Sequence, residues 1–540
     1  MKLKSSILFL AGPAAAALLA GCTSVPSDLG QRGVSDLATE RGLEPSLLSP
    51  MDREAAKSAL LSGPLTLESA VRIALTHNPD LRDRYAALGL AAADVYEAGR
   101  LRNPVLSASA LSSDAAGDGT KTAFGLAGSF VDLVTLSARS RYAKTEFEAV
   151  KQDLASAVLN TSADASAAYF AYAGARQTFA LRERISKAAT LSADLAQRFS
   201  DAGNITPREL AVEQAAASEA RLAALDAAAM LAEARNRLGA VLGVSTGEAW
   251  DVPAQLQALP EIETDLPHYI NLARVNRLDV SAARLRADAL ADRAGVTDWS
   301  SWLGPLDVGA EFERETDGTE LTGGGIDWEI PIFSQNRDQR LRANAELERA
   351  VIEVARATLA SDNDVQLAYA AMTNARARAE EYRDRLIPAR VAASQRAQEE
   401  QNYMLIGVFE VVSIREQEFD AYQGYLEAIR DYWLARTELA RATGTAMPLS
   451  ERSDGDVLDV EEFTRPAPAM SMDHGHHGGH DMSGMDVLEG VDASSHDMTG
   501  LEEMESIESP AHDMIDRPGM DHSGHEQDSM TETPEERETP

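Results

Sequence analysis

The sequence predicts a mainly α-helical fold with a β-barrel part, a tandem repeat of long α-helical hairpins plus two β-hairpins. Three observations predict it: landmarks that recur about 200 residues apart, helical runs of more than sixty residues, and short segments that alternate apolar with polar residues. Together they describe two copies of one unit.

The repeat sets the architecture. Asn78-Pro79-Asp80-Leu81 and Arg277-Leu278-Asp279-Val280 lie 199 residues apart, and so do the turn signals Asp118-Gly119 and Asp317-Gly318. Ala168-Tyr169 and Ala368-Tyr369 lie 200 apart. Each unit opens with a helix, 67–100 and 266–296, continues with two short β segments, and ends with two very long helices joined by a tight turn.

The helices are legible from their stripe. Phe147, Val150, Leu154, Ala157, Thr161, Ala165, Ala168 and Tyr172 recur at steps of three and four, a heptad-like seam on one helix face. No proline interrupts residues 137–200, a run that would be roughly 95 Å long as a helix. The chain returns over 206–241. In the second unit the outgoing helix is expected over 338–404, with a kink at Pro388, and the returning one over 410–443. Such helices need antiparallel neighbours, and copies of themselves, to bury their stripe.

The β segments alternate with period two. Leu306, Val308, Ala310 and Phe312 share one face, while Asp307, Gly309, Glu311 and Glu313 share the other. Beyond the turn, Ile326, Trp328 and Ile330 alternate with Gly325, Asp327 and Glu329; in the first unit Phe124, Leu126, Gly128 and Phe130 alternate with Gly125, Ala127 and Ser129. Residues 105–111 form a weaker case. A membrane barrel strand requires this pattern, lipid on one side and water on the other. A hairpin over a soluble core gives it too; the export signal described next and the long helices weigh toward lipid. Four strands cannot close a barrel, so strands must be pooled, and three copies give twelve.

Composition narrows the classes. Length exceeds one compact domain. Acidic residues outnumber basic ones 86 to 50, a net charge of −36 that excludes a nucleic-acid binder. The single cysteine, Cys22, excludes an intrachain disulfide and a multi-cysteine metal site. It sits at the end of a basic start, an apolar run and Leu19-Ala20-Gly21, an export signal ending in what resembles a bacterial lipobox. That resemblance implies an acylated Cys22 and, with Thr23 following it, sorting to the outer membrane. Acyl chains contribute roughly 0.8 kcal/mol per buried CH₂. No phosphate-cradling loop, His-Glu-x-x-His or nucleophile elbow is present, so no enzyme, catalytic residue or required cofactor is expected.

Across 65–445 the chain resembles the TolC-type outer-membrane efflux proteins. The resemblance rests on the duplicated plan, on Asn78-Pro79-Asp80-Leu81, and on Trp328-Glu329-Ile330-Pro331-Ile332-Phe333 with Arg337. In the first copy Asp132-Leu133-Val134-Thr135-Leu136 with Arg139 holds that place without a proline. The turns Phe199-Ser200-Asp201-Ala202-Gly203 and Tyr403-Met404-Leu405-Ile406-Gly407 match the helix tips, where glycine is expected for a backbone reason. The resemblance implies a homotrimer: a 12-stranded outer-membrane barrel, lodged in outer-membrane lipid, on an α-helical periplasmic tunnel. It also implies tips at Gly203 and Gly407 that dock a periplasmic adaptor of an inner-membrane pump, and an aperture narrowed by acidic residues, here Glu209 and Glu410. A solvated helix face explains those two glutamates equally well.

Composition changes at the C-terminus. From Glu451 onward there are 25 acidic and 4 basic residues, and eight of the ten histidines and nine of the fifteen methionines lie there. Disorder is expected. Met-Asp-His recurs at 472 and 520, and His-Asp-Met at 480, 496 and 512. The candidate metal ligands are His474, His476, His477, His480, Met482, Met485, His496, Met498, His512, Met514, Met520, His522 and His525. Imidazole suits copper and zinc, while thioether selects soft copper or silver.

The expected organisation is a signal peptide (1–21), a lipidated N-terminal linker (22–64), two efflux-protein repeats (65–250 and 262–446) and an acidic tail (447–540). The reading is an outer-membrane channel of a tripartite efflux system that exports copper or silver. Asp307, Glu311, Asp327 and Glu329 would line its lumen, and the tail would bind metal. Two alternatives stay open: a general drug or solute channel with an incidental tail, and a non-channel periplasmic lipoprotein that stores metal.

Overall fold

The computed structural model describes residues 27–45, 50–112, 119–245, 247–253, 256–260, 264–300, 304–330, 332, 333 and 335–448. The chain divides into two units, Met1–Ala467 and Pro468–Pro540. The second lies wholly outside the described residues, as do Cys22, the signal peptide and Asp118.

The span expected as a linker holds two helices, α1 (Gln31–Thr39) and α2 (Pro50–Leu61). Val34 and Ala38 of α1 are fully buried. Each repeat then begins with two short helices rather than the single one expected: α3 (Leu67–His77) and α4 (Pro79–Ala98), later α7 (Leu266–Asn276) and α8 (Leu278–Ser300). Pro79 is the reason in the first repeat. It cannot sit inside a helix but is well placed at the first position of one, where Asn78 accepts the Leu81 amide at 3.0 Å and caps it.

Four strands follow the same scheme: β1 (Val105–Ser112) and β2 (Thr120–Ser129) in the first repeat, β3 (Leu306–Arg314) and β4 (Glu320–Trp328) in the second. They form one antiparallel sheet in the order β1-β2-β3-β4. The β3–β4 turn uses Gly318 at φ 86, with the Asp317 carboxylate accepting the Thr319 amide at 2.8 Å.

The outgoing helix α5 (Phe130–Asp201) is longer than expected, 72 residues, or roughly 108 Å. It leaves β2 directly, with Ser129 as its cap. Of the eight stripe residues, all are buried except Val150, which is half-buried. α6 (Pro207–Leu242) returns beside it. In the second repeat α9 (Arg337–Glu381) passes through a π-helical turn, Tyr382–Leu386, into α10 (Ile387–Asn402), and α11 (Val408–Thr443) returns. The disturbance expected at Pro388 thus takes the form of a π turn just before it, which opens the helical ladder where proline can neither donate nor fit. The aromatic core sits near the middle of the long helices. Phe170 stacks on Trp433 at 5.2 Å, and the Trp433 indole donates to the Gln257 carbonyl at 2.8 Å.

The two repeats share one joint. Each returning helix ends in a left-handed glycine, Gly243 (φ 66) and Gly444 (φ 69), lodged against the break between the short helices. A Cβ on Gly243 would lie 2.5 Å from the His77 carbonyl oxygen, and one on Gly444 2.8 Å from that of Asn276. The residue at each break reaches back to the same helix end: Asn78 Nδ2 donates to the Val241 carbonyl at 2.9 Å, and Arg277 Nη1 to the Ala442 carbonyl at 3.3 Å. Gly243→Ala and Gly444→Ala are each expected to destabilise the helical part by about 1–3 kcal/mol, the cost of a left-handed non-glycine residue, read by thermal unfolding.

Candidate functional site

The candidate site is the two-faced sheet together with the helix tips. Directly paired residues of an antiparallel sheet lie on one face. The register pairs Leu106 with Leu126, Phe124 with Phe312, Leu126 with Ala310, Val308 with Ile326, and Leu306 with Trp328. These apolar residues of β2, β3 and the end of β4 therefore share one face with Leu106, whereas Val105, Leu111 and Leu321 lie on the other. The shared face is open: Leu106 is 74 % exposed, Ile326 71 %, and Phe124 and Trp328 51 %.

The opposite face carries the expected lumen residues. Asp307 pairs directly with Asp327, and Glu311 faces Gly125 on one side and Gly323 on the other. Glu329 follows two residues after Asp327 and is exposed. Like charges placed directly opposite destabilise a sheet unless water or a cation screens them, so this face belongs to water. Glu313, near the far end of β3, is ion-paired with Lys121. The outer edges of β1 and β4 pair with no strand among the described residues. The strands are 8 to 10 residues long, close to the 9–11 a tilted membrane strand needs. Among the described residues no helix is long and apolar enough to cross a membrane.

At the tips the two repeats share one turn built from different residues. Asn204 donates its amide to the Phe199 carbonyl at 2.8 Å, and Leu405 donates to the Glu400 carbonyl at 2.9 Å. Gly203 takes the left-handed position in the first turn, at φ 76. In the second that position falls on Met404, at φ 58, and not on Gly407, which is extended at φ −77. The backbone reason expected for Gly407 is therefore wrong. Gly407 stands where Thr206 stands in the first repeat, as helix cap.

The same alignment places Glu209 opposite Glu410. Glu209 completes a capping box: its carboxylate accepts the Thr206 amide at 2.7 Å, and its own amide donates to the Thr206 hydroxyl at 3.3 Å. The Thr206 amide, then its hydroxyl, hold the Glu209 carboxyl below the ordinary glutamate value. Gly407 offers no side chain, so Glu410, exposed in the first turn of α11, makes no such bond among the described residues. Of the two, Glu410 is the one whose carboxylate makes no capping bond with its own helix among the described residues. Aligning the tips residue by residue would have shown this from the sequence.

The thirteen tail ligands lie outside the described residues. Among the described residues no group of three or more His, Cys, Asp or Glu side chains is arranged to hold a metal ion.

Comparison with known proteins agrees with the plan of a small sheet on long helices. Residues 70–244 match the family model described as outer membrane efflux protein. Solved structures share the fold: CusC, described for the conformational changes that accompany folding and transmembrane channel formation, at TM-score 0.59 and 17 % identity over 71 % of this chain and 93 % of that one. The CmeC outer membrane channel of Campylobacter jejuni matches at TM-score 0.62 and 15 % identity, over 74 % and 88 %. The fold is that of the TolC-type outer-membrane channels. Protein CyaE of Bordetella pertussis is 27 % identical over 340 residues, 58 % of this chain and 70 % of CyaE. The matched family and the structural neighbours are channel proteins, not enzymes.

Met404→Gly is expected to stabilise the second tip by about 1 kcal/mol, because a left-handed residue with a Cβ costs roughly that much. Slower amide exchange at residues 400–408 would show it; unchanged exchange would mean that Met404 carries no backbone cost.

Proposed function

We propose that this chain is the outer-membrane channel of a tripartite efflux system, acting as a homotrimer with a periplasmic adaptor and an inner-membrane pump. The sheet carries this reading, with an exposed apolar patch on one face, Asp307, Glu311 and Asp327 on the other, and two edges that pair with no strand among the described residues. In lipid every backbone polar group needs an internal partner. A sheet with two open edges meets that demand only by closing onto others, and three copies supply twelve strands. The long helices then continue the barrel as a periplasmic tunnel, and the tips at Gly203 and Gly407 meet the adaptor. Acylation of Cys22 adds a second hold on the membrane.

The exported substrate in this reading is a soft metal ion, copper or silver. Threefold repetition of Asp307, Glu311, Asp327 and Glu329 makes a lumen that favours cations. The His/Met tail would capture the metal in the periplasm. Its root supports this: the Ala446 amide donates to the Arg41 carbonyl at 2.9 Å, and Met447 is buried, so the chain leaves beside the base of α11. α11 has 36 residues, a rise of about 54 Å to the tip. His474 is 27 residues beyond Met447, enough chain to span at most roughly 90 Å. The tail is long enough to bring its ligands to the tunnel entrance.

Purified protein in planar bilayers is expected to give cation-selective single-channel steps; a water-soluble monomer without conductance would end the channel reading. Deleting residues 451–540 is expected to lower copper or silver tolerance of cells while trimer assembly persists. Unchanged metal tolerance with raised drug sensitivity in the full knockout would identify a general solute channel instead.

A further inference from the structure

Three helices attach to the central strands of the sheet and their neighbour: α4 precedes β1, α5 leaves β2 and α8 precedes β3. Where these three helices meet they leave a cavity of about 400 Å³, within the size range of small-molecule sites. Its lining is apolar at Ala98 of α4, Ala138 and Ala143 of α5 and Val296 of α8, all half-buried, with the half-buried ring of Tyr142 beside them. Because α4 and α5 belong to the first repeat and α8 to the second, the cavity lies across the seam between the repeats.

Charged side chains line it too, and the basic ones are all engaged. Arg141 is ion-paired with Asp292 at 2.9 Å and Arg139 with Asp132 at 3.5 Å. Arg293 pairs with Glu346 at 3.2 Å, and its guanidinium lies over the Tyr142 ring at 5.7 Å. Asp94 and Glu97 are different. Three residues apart on α4, they share one helix face. Both are exposed, and their side chains make no hydrogen bond or ion pair among the described residues. Two uncompensated carboxylates therefore stand on the wall of an apolar cavity.

We infer that this cavity binds an organic monocation, an amine or quaternary ammonium with a small apolar body. The cationic end pairs with Asp94 and Glu97, and the body covers Ala98, Ala138, Ala143 and Val296. An anion finds no free partner, because each arginine already faces a carboxylate, and Asp94 and Glu97 repel it. A hard metal ion needs several oxygen ligands around it. Among the described residues no group of three or more His, Cys, Asp or Glu side chains is arranged to hold one. A neutral apolar molecule fits the lining and leaves both carboxylates unanswered. With the carboxylates exposed, the attraction is screened by salt, so affinity falls as ionic strength rises.

The test titrates benzyltrimethylammonium into the full-length protein in detergent by isothermal titration calorimetry, with benzenesulfonate as the anion of similar size. Saturable binding of the cation is expected, weakening with added salt, and none of the anion. Replacing both carboxylates, Asp94→Asn with Glu97→Gln, should lower the affinity roughly tenfold. Val296→Phe, which fills the cavity and keeps the carboxylates, should lower it as well. Asp83→Asn, an exposed carboxylate of α4 outside the cavity, should leave it unchanged. No saturable binding, equal binding of the two ions, or unchanged affinity in the double variant overturns the site. Binding lost in the double variant but kept in a folded Val296→Phe overturns the cavity, leaving a cation attracted to surface charge. The site rests on the cavity alone: binding without bilayer conductance would count against the channel and not against it.

Discussion

A left-handed glycine pressed against the break between two short helices is the contact on which the rest of this molecule depends, and it is made twice. Helices of the length of α5 bury little against themselves, and an apolar stripe alone lets neighbours slide by a heptad. Gly243 and Gly444 end the returning helices where the backbone of His77 and of Asn276 leaves no room for a Cβ. Asn78 and Arg277 then tie each break to the same helix end. The joint sets the register of long helices against short ones. Through them it sets where each hairpin of strands begins.

Everything toward the sheet follows from that register. Each repeat contributes one β-hairpin, and the β2–β3 pairing joins them so that Phe124 meets Phe312 and Leu126 meets Ala310. A shift of one residue would turn Phe124 and Leu126 to the side of Asp307 and Glu311. The union of the two repeats thus gathers Leu126, Phe124, Phe312, Val308 and Ile326 on one face and sets Asp307 and Asp327 side by side on the other. Toward the tips the repeats diverge. The first turn is relaxed, with Gly203 left-handed and a capping box behind it; the second has Met404 in the strained position and no side-chain cap. The two hairpins share a plan and differ in how their tips are turned and capped.

Charge is distributed with the same division. On the sheet, carboxylates sit behind an apolar wall. In the C-terminal tail they surround histidine and methionine. One net charge of −36 is thus divided between surroundings of different chemistry.

The mainly helical class, the stripe on α5 and the alternation of β3 and β4 were legible in the sequence, because each is a periodicity of 3.5 or 2 that the backbone geometry imposes locally, and the repeat was legible because its landmarks recur about 200 residues apart. The break at Asn78-Pro79 was also written there, in the cap and the proline, but a single long helix was expected across it. What the tertiary structure alone decided is pairing. That β2 adjoins β3 and that Phe170 stacks on Trp433 depend on contacts between residues far apart in the chain. Periodicity tells a residue which side of its own element it occupies; only packing tells it what stands opposite.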